Sequence, residues 1–339
     1  MGRCKLEEFI SYEQPTKYIV DSDQYDDSYK IPVLTAGKSF ILGYTDEKNN
    51  IFDNLPVIIF DDFTTSVQFV DFPFKVKSSA MKLLKNTEQA DIKYCYYLLK
   101  FLQHTPENHK RQWLSATSQN IVELPIIEKQ KNIVRKLDKI LEVIDNQNKQ
   151  LELLDEAIKA RFVEMFGEIE DCDKWESKIW NEVVTIKNGR DYKKVLVSDG
   201  GYPVVGTGGE IARASKYLCP ENTIVVGRKG SINNPMLMKE KFWNVDTAFG
   251  VIPNSDYLHY QYFYCFCKFY NFMKLNKATT LPSTTKADLL KIRINIPPLE
   301  LQNQFASFVQ EIDKSRSRIQ KSLEASQELF DSLMQKYFG

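Results

Sequence analysis

The stretch LPIIEKQKNIVRKLDKILEVIDNQNKQLELLDEAIKARFVEMFG, residues 124–167, recurs in altered form as IPPLELQNQFASFVQEIDKSRSRIQKSLEASQELFDSLMQKYFG, residues 296–339. Both copies are 44 residues long and align without a gap at an offset of 172. Pro125 matches Pro297, Glu128 matches Glu300, Gln130 matches Gln302, and the closing Phe166-Gly167 matches Phe338-Gly339. An ungapped internal repeat of this length is the strongest statement the sequence makes about its own architecture.

Each copy also carries a heptad. Steps of four and three lead through Ile133, Leu137, Ile140, Ile144, Gln147, Leu151, Leu154, Ile158, Arg161 and Met165. The second copy runs through Phe305, Val309, Ile312, Arg316, Ile319, Leu323, Ser326, Phe330, Leu333 and Tyr337. Such spacing keeps one apolar seam along a helix. The proline before each helix suits its N-terminus and the glycine after it suits a C-terminal stop. A lone stripe is commonly just the face of a helix packed on its own domain. Two of them in one chain predict an intramolecular antiparallel coiled coil.

The segments before the helices echo one another more faintly. IPVLTAG from Ile31 resembles YPVVGTG from Tyr202 at an offset of 171, and LPVIIFDDFTTS from Leu55 stands in the place of NTIVVGRKGSIN from Asn222. The expected fold class is therefore mixed α/β of the α+β kind, with two globules and two long helices. The segments are a first globule at 1–123, helix one at 124–167, a second globule at 168–295 and helix two at 296–339. Helix one would carry the chain away from the first globule and helix two would bring it back. The heptad positions span 33 residues, which at a rise of ~1.5 Å gives a rod of about 50 Å. Two DNA half-sites one helical turn apart are about 34–36 Å centre to centre, so two readers on one face of a duplex fit this geometry.

Bulk composition agrees with two domains. The 339 residues are 27% charged and 43% hydrophobic, the balance of a soluble globular chain with room for about two cores. No run of about 18 apolar residues exists, so no membrane span is expected. The opening MGRCKLEEFI lacks the apolar core of a signal peptide, and Leu6 stands where a myristoylation signal needs Ser or Thr. The six cysteines are scattered and the three histidines do not group with them. Reduced cysteines in a cytoplasmic protein are expected, without a zinc site. Net charge is zero, which argues against a uniformly basic binder. It is nevertheless uneven: the four segments carry −3, 0, +4 and −1, with six cations against Asp288 alone between Lys268 and Arg293.

The chemistry concentrates where the strand Thr223–Val226 runs into Gly227-Arg228-Lys229-Gly230-Ser231. This is not a phosphate loop of the G-x-x-x-x-G-K-[ST] type, because Lys229 precedes Gly230 and no second glycine lies at the required distance. VVGTGGEI around Gly206 lacks the dinucleotide spacing. No H-E-x-x-H, G-x-S-x-G or N-P-P-Y-like motif is present, and no carboxylate–carboxylate–lysine nuclease set. FDDF at Phe60 has paired carboxylates without a basic partner in sequence, for which turn capping is expected.

What remains is a strand-end tip rich in donors. Arg228 and Lys229 suit phosphates or a guanine edge, and Ser231, Asn233 and Asn234 suit base edges or sugars. The loop beginning at Asn276 adds Lys277, Thr279, Thr280, Ser283, Thr284, Thr285 and Lys286, a hydroxyl-and-cation stretch of the kind that contacts phosphate.

The duplicated globule–helix layout, the lead-ins LPIIEKQ and IPPLELQ, the run IVVGRKGS…FWNVDTAFGVI from Ile224 to Ile252 and the Phe-Gly closures together resemble the specificity (S) subunit of type I restriction–modification systems. The resemblance covers nearly the whole chain. It implies that each globule is a target recognition domain reading one half of a bipartite, asymmetric sequence in double-stranded DNA. It implies that the coiled coil sets the spacing and docks two methyltransferase (M) subunits, which carry S-adenosylmethionine, and that ATP-driven, Mg-dependent restriction (R) subunits join for cleavage. No catalytic residue and no cofactor is implied on this chain, and no membrane. Glu128, Gln130, Glu300 and Gln302 recur at equivalent points and are expected to face the partners, with helix N-terminal capping as the alternative.

The first globule departs from the pattern. Its tip FDDFTTS has carboxylates in place of cations and KLEEFI at Lys5 stands where KIWNEV stands in the second. Its contact candidates are Thr64, Thr65, Ser66 and Gln68, with the cluster His109, Lys110 and Arg111. Two readings from other classes stay open: a coiled-coil protein–protein adaptor that binds no DNA, and a stand-alone nuclease or methylase whose cofactor motifs would have to be unrecognised.

Overall fold

The computed structural model describes every residue except Met1, Lys38, residues 107–110, residues 171–173 and Thr279. The chain divides into two compact units, Met1–Asn146 with Ser322–Gly339, and Gln147–Lys321. The division cuts both long helices, so the helical segments read from sequence as separate pieces are shared between the units. Outside the seams Val134, Phe162, Phe166, Ala306 and Met334 are also buried, whereas Val143, Leu153 and Leu329 are exposed.

In the first unit the strands are β1 (Gly2–Lys5), β2 (Ile10–Glu13), β3 (Ile31–Leu34), β4 (Ile41–Thr45) and β5 (Val57–Asp61). They continue with β6 (Val67–Val70), β7 (Lys75–Val76), β8 (Met81–Asn86) and β9 (Ile121–Leu124). Helix α1 is Ile92–Phe101, α2 is the short Gln112–Ser115, and α3 is the long Ile127–Phe166. An antiparallel sheet runs β2-β8-β5-β6, a second runs β4-β3-β7 with β3 and β7 parallel, and β1 pairs with β9. The apolar run of β5 lies between two cores. Ile58 and Phe60 face a cluster with Leu84, Tyr94 and Trp113, while Val57 and Ile59 face one with Leu34, Phe74 and Leu83. Side chains alternate across a strand, so a strand covered on both faces reads as continuously apolar. The first of these cores is completed by Ile133, Leu137 and Ile144 of α3 with Phe330 and Met334 of the last helix.

The second unit repeats this plan. Its strands are β10 (Ser177–Ile179), β11 (Val184–Asn188), β12 (Leu196–Val197), β13 (Tyr202–Gly206) and β14 (Gly209–Ala214). There follow β15 (Thr223–Gly227), β16 (Met236–Met238), β17 (Trp243–Asn244), β18 (Ala248–Pro253) and β19 (Arg293–Asn295). Its helices are α4 (Trp180–Val183), α5 (Tyr260–Phe269), α6 (Lys286–Leu289) and α7 (Leu299–Phe338). Sheet order β11-β18-β15-β16 matches β2-β8-β5-β6, and β13 pairs in parallel with β17 as β3 does with β7. The bulge at Val33/Leu34 recurs at Val204/Val205. The two faint sequence echoes are thus β3 with β13 and β5 with β15.

Helices α3 and α7 are 40 residues each. None of the heptad positions on either is exposed. In the first unit residues 133–144 of α3 share a core with residues 323–338 of α7, and in the second residues 158–166 share one with residues 305–312. In the second unit Asp155 meets Arg316, Arg161 meets Phe308 and Phe162 meets Phe305, so the two helices run antiparallel there. In the second unit Phe162 stacks on Tyr262 at 5.4 Å and Asp155 is gripped by Lys268 and Arg316, each at 2.9 Å. Gly167, at φ +87°, ends α3 in the left-handed conformation that suits a glycine stop. No helix among the described residues is long and apolar enough to cross a membrane.

Candidate nucleic-acid interface

Strand β15 is buried along its whole length, so its exit point is rigid. At Gly227 a Cβ would lie 2.7 Å from the Ser231 oxygen, and Gly230 has φ +81°. Both positions therefore need glycine, and the chain doubles back tightly. The backbone N–H groups of Arg228 and Lys229 both donate to Thr247 O, at 2.8 and 3.3 Å. The Arg228 guanidinium lies 6.0 Å from the centre of the Phe249 ring, with its Nη1 3.4 Å from Asp246 O.

The two stretches singled out in the sequence meet here. Lys229 forms an antiparallel bridge with Ser283. Gly230 N–H donates to Pro282 O at 2.9 Å, Thr284 N–H to Arg228 O at 3.0 Å and the Thr284 hydroxyl to Gly227 O at 2.8 Å. With Asn188 and Gly189 from the end of β11, these loops line an open cleft of about 600 Å³.

Most polar groups of the second loop are occupied within the protein. Thr284 is buried, and Thr285 caps α6 through Asp288 N–H at 3.1 Å. Lys277 holds both carboxylate oxygens of Asp288, at 2.9 and 3.0 Å, and with the Thr285 hydroxyl keeps that carboxyl below its ordinary range. Lys286 Nζ donates to Ile186 O at 2.9 Å, and the Asn233 carboxamide oxygen accepts Phe272 N–H at 2.8 Å. Ser231 and Thr280 are exposed, Ser283 is half-buried, and Thr279 lies outside the described residues. The loop after β11 escaped the sequence reading. Its stretch Lys187-Asn188-Gly189-Arg190 puts an arginine directly after a glycine at a strand end, as Gly227-Arg228 does, and that signal could have found it.

In the first unit the same register positions hold different chemistry. Asp61 pairs with Met81 and Phe60 with Lys82, where Gly227 pairs with Ala248 and Val226 with Phe249. Asp62 therefore stands where Arg228 stands, and Lys82 where Phe249 stands. These two are each 1% exposed and pair at 3.2 Å. The expectation that FDDF has no basic partner is corrected: the partner lies on the neighbouring strand. Asp62 also accepts Gln112 N–H through its carbonyl at 2.8 Å and Trp113 N–H through its carboxylate at 2.9 Å. Asp61 caps the turn as expected, accepting from Phe63 N–H at 2.8 Å and the Thr64 hydroxyl at 2.7 Å.

Thr65 is a second correction. It is buried with φ +58°, and its hydroxyl donates to His104 O at 2.7 Å, so it holds two loops together and presents nothing to DNA. Thr64 and Arg111 are exposed and Gln68 is half-buried on β6, while His109 and Lys110 lie outside the described residues.

The partner-facing expectation fails for both glutamines. Gln130 and Gln302 are each 0% exposed. Gln130 accepts Asp91 N–H at 2.8 Å and donates to Gln89 O at 3.1 Å and Pro125 O at 2.6 Å. Gln302 accepts His259 N–H at 2.8 Å and donates to Tyr257 O at 2.9 Å and Pro297 O at 2.8 Å. Each amide ties a long helix to the segment that starts the domain helix α1 or α5. Their burial among backbone groups is why the Gln recurs. Glu128 and Glu300 remain exposed.

Two copies of one α+β domain, each locked by a buried glutamine to a long helix, define a duplicated two-domain protein. Residues 172–327 match the family model for the type I restriction modification DNA specificity domain. The chain is 31% identical over 366 aligned positions to the type I restriction enzyme EcoR124I/EcoR124II specificity subunit of Escherichia coli, covering 96% of this chain and 89% of that one. Its fold resembles the type I restriction–modification S subunit from M. genitalium, with TM-score 0.67 and 16% identity over 100% of this chain and 96% of the other. It also resembles a chain from a solved type I system described in terms of complex assembly and conformational transition, with TM-score 0.53 and 14% identity over 99% and 97% of the two. The chain belongs to the family of type I restriction–modification specificity subunits, and sequence-specific DNA recognition within a complex is its function.

Proposed function

We propose that the two domains read the two halves of one bipartite, asymmetric target in double-stranded DNA, and that this chain holds no catalytic centre of its own. The observation that carries the asymmetry is the exchange at equivalent strand ends: an exposed Arg228 over Phe249 in one domain, a buried Asp62–Lys82 pair in the other. One tip would offer an exposed guanidinium to DNA where the other has its charges sealed inside, so the two would select different bases. Methyl transfer then falls to two M subunits carrying S-adenosylmethionine, and cleavage to R subunits using ATP and Mg, in the cytoplasm. Glu128 and Glu300, exposed at equivalent points of the two repeats, suit two equivalent partners.

Co-expression with the neighbouring methyltransferase, followed by mapping of methylated adenines in the host genome, tests this. Two unlike half-sites at a fixed spacing are expected, with two M subunits per chain by native mass. A single continuous or palindromic motif, or methyl transfer by the isolated chain, overturns it.

A further inference from the structure

We infer that Asn188 is a base-reading residue of the second domain, an adenine reader working beside Arg228. The inference rests on the reading of this cleft as a DNA site and adds a contact to it.

Asn188 is the last residue of β11 and pairs with Phe249 on β18, which pairs in turn with Val226 on β15. Residues paired across strands share a face of the sheet, as do residues two apart on one strand. Asn188, Phe249 and Val226 therefore lie on one face, and the Arg228 guanidinium, just past the end of β15, lies 6.0 Å from the same buried ring. Asn188 and Arg228 line the same cleft.

The backbone around Asn188 is held on both sides. Asn244, itself 0% exposed, donates from Nδ2 to Lys187 O at 3.3 Å, and its carbonyl accepts Arg190 N–H at 3.0 Å. Trp243 Nε1–H donates to Arg190 O at 2.9 Å. At Gly189 a Cβ would sit 1.7 Å from Val245 O, so the chain passes there with no room for a side chain. Asn188 thus projects from a fixed turn, exposed, and its carboxamide makes no hydrogen bond with the described residues. Thr284, Thr285, Lys277 and Lys286 differ in this respect, each being engaged inside the protein. A fixed backbone leaves only the side-chain rotamers to be ordered on binding.

The carboxamide has an acceptor and donors in one plane, which match the N6 amino group and N7 of adenine; the guanidinium matches O6 and N7 of guanine. Lys229, which lines the cleft, and Arg190, exposed one residue beyond Gly189, would serve the flanking phosphates.

The test uses the full chain and a duplex carrying its target, with affinities measured at one fixed salt concentration. Each adenine of the half-site read by the second domain is replaced in turn by 7-deazaadenine, which lacks N7, or by purine, which lacks the amino group. The wild-type chain should lose roughly 5- to 150-fold at one adenine, the discrimination of one bidentate contact. Asn188→Ala should lose about as much on the natural target, keep its affinity for random DNA, and respond no further to the analogues at that adenine. Asn188→Asp should shift preference there toward cytosine, whose N4 amino group a carboxylate accepts. Unchanged target affinity in Asn188→Ala, equal losses on target and random DNA, or undiminished analogue effects in the variant would overturn the assignment. If Arg228→Ala weakens target binding while Asn188→Ala does not, this inference alone fails; if neither does, the reading of the cleft fails with it.

Discussion

Gln302 accepts the backbone N–H of His259 at 2.8 Å, and does so from a side chain wholly removed from solvent. Its counterpart Gln130 makes the same bond to Asp91 at the same distance. Removing the amide strands one N–H and two carbonyls in the interior, and each buried unsatisfied group costs about 1–3 kcal/mol. Gln302→Ala should therefore lower the melting transition of the second domain, and Gln130→Ala that of the first. Calorimetry that found both variants as stable as the wild type, with partner binding impaired, would restore the glutamines to the interface.

Arg228→Ala should weaken binding to the target by about 1–3 kcal/mol while leaving random DNA almost unaffected, because a bidentate base contact is worth that much discrimination. Arg228→Lys should not recover it, since an ammonium cannot present the planar fork. Competition binding against random duplex checks both; equal loss on the two would make Arg228 a phosphate contact.

The Asp62–Lys82 pair is buried at both ends, and breaking such a pair from one side costs about 3–5 kcal/mol by leaving a charge unpaired. Lys82→Met alone should destabilise the first domain severely. Combining it with Asp62→Asn, which keeps an acceptor for Trp113 N–H, should return most of the loss. Denaturant titrations of the two single variants and the double would reveal the coupling.

Glu47 provides a pH dependence. Burial alone would raise its pKa, but the Lys75 ammonium at 2.5 Å and the N–H groups of Ser22 and Asp21 outweigh burial and hold it below the usual value. A carboxyl depressed in the folded state contributes stability that is full above its unfolded pKa, about 4.3, and is lost as pH falls through the folded value. Glu47→Gln should therefore be less stable than wild type at pH 7, with the gap closing below about pH 4. A gap that stays constant down to pH 3 would contradict this.

Inserting one heptad after Gln150 in α3 and one after Arg318 in α7 keeps both seams in phase and lengthens each helix by about 10 Å. The spacing between the two half-sites should change, or recognition of the target should be lost. Methylation mapping that returned the original spacing would refute the helices as the element that sets it.

The parts legible in advance were those with a local period. Ile133, Leu137, Ile140 and Ile144 announce a helix because 3.6 residues per turn puts them on one stripe, whatever they pack on. The run Thr223–Val226 announces a strand because β-branched residues in unbroken succession suit a pleated, covered surface. Polar residues carry no such signature. Gln130 and Glu128 looked equivalent, yet one is sealed in the interior and the other exposed. Thr64 and Thr65 are neighbours with opposite fates, because a positive φ at Thr65 turns its hydroxyl toward the His104 carbonyl.

From sequence alone came the duplication, the paired helices and the family, all properties of order and periodicity along the chain. Tertiary structure decided which donors face solvent. Lys82 reaches Asp62 across a strand register, Thr284 meets Gly227 from 57 positions away, and Asn188 joins Arg228 only because β11 and β15 both flank β18. A hydrogen bond of 2.8 Å depends on where two strands lie side by side, and nothing in the linear spacing of the residues records that.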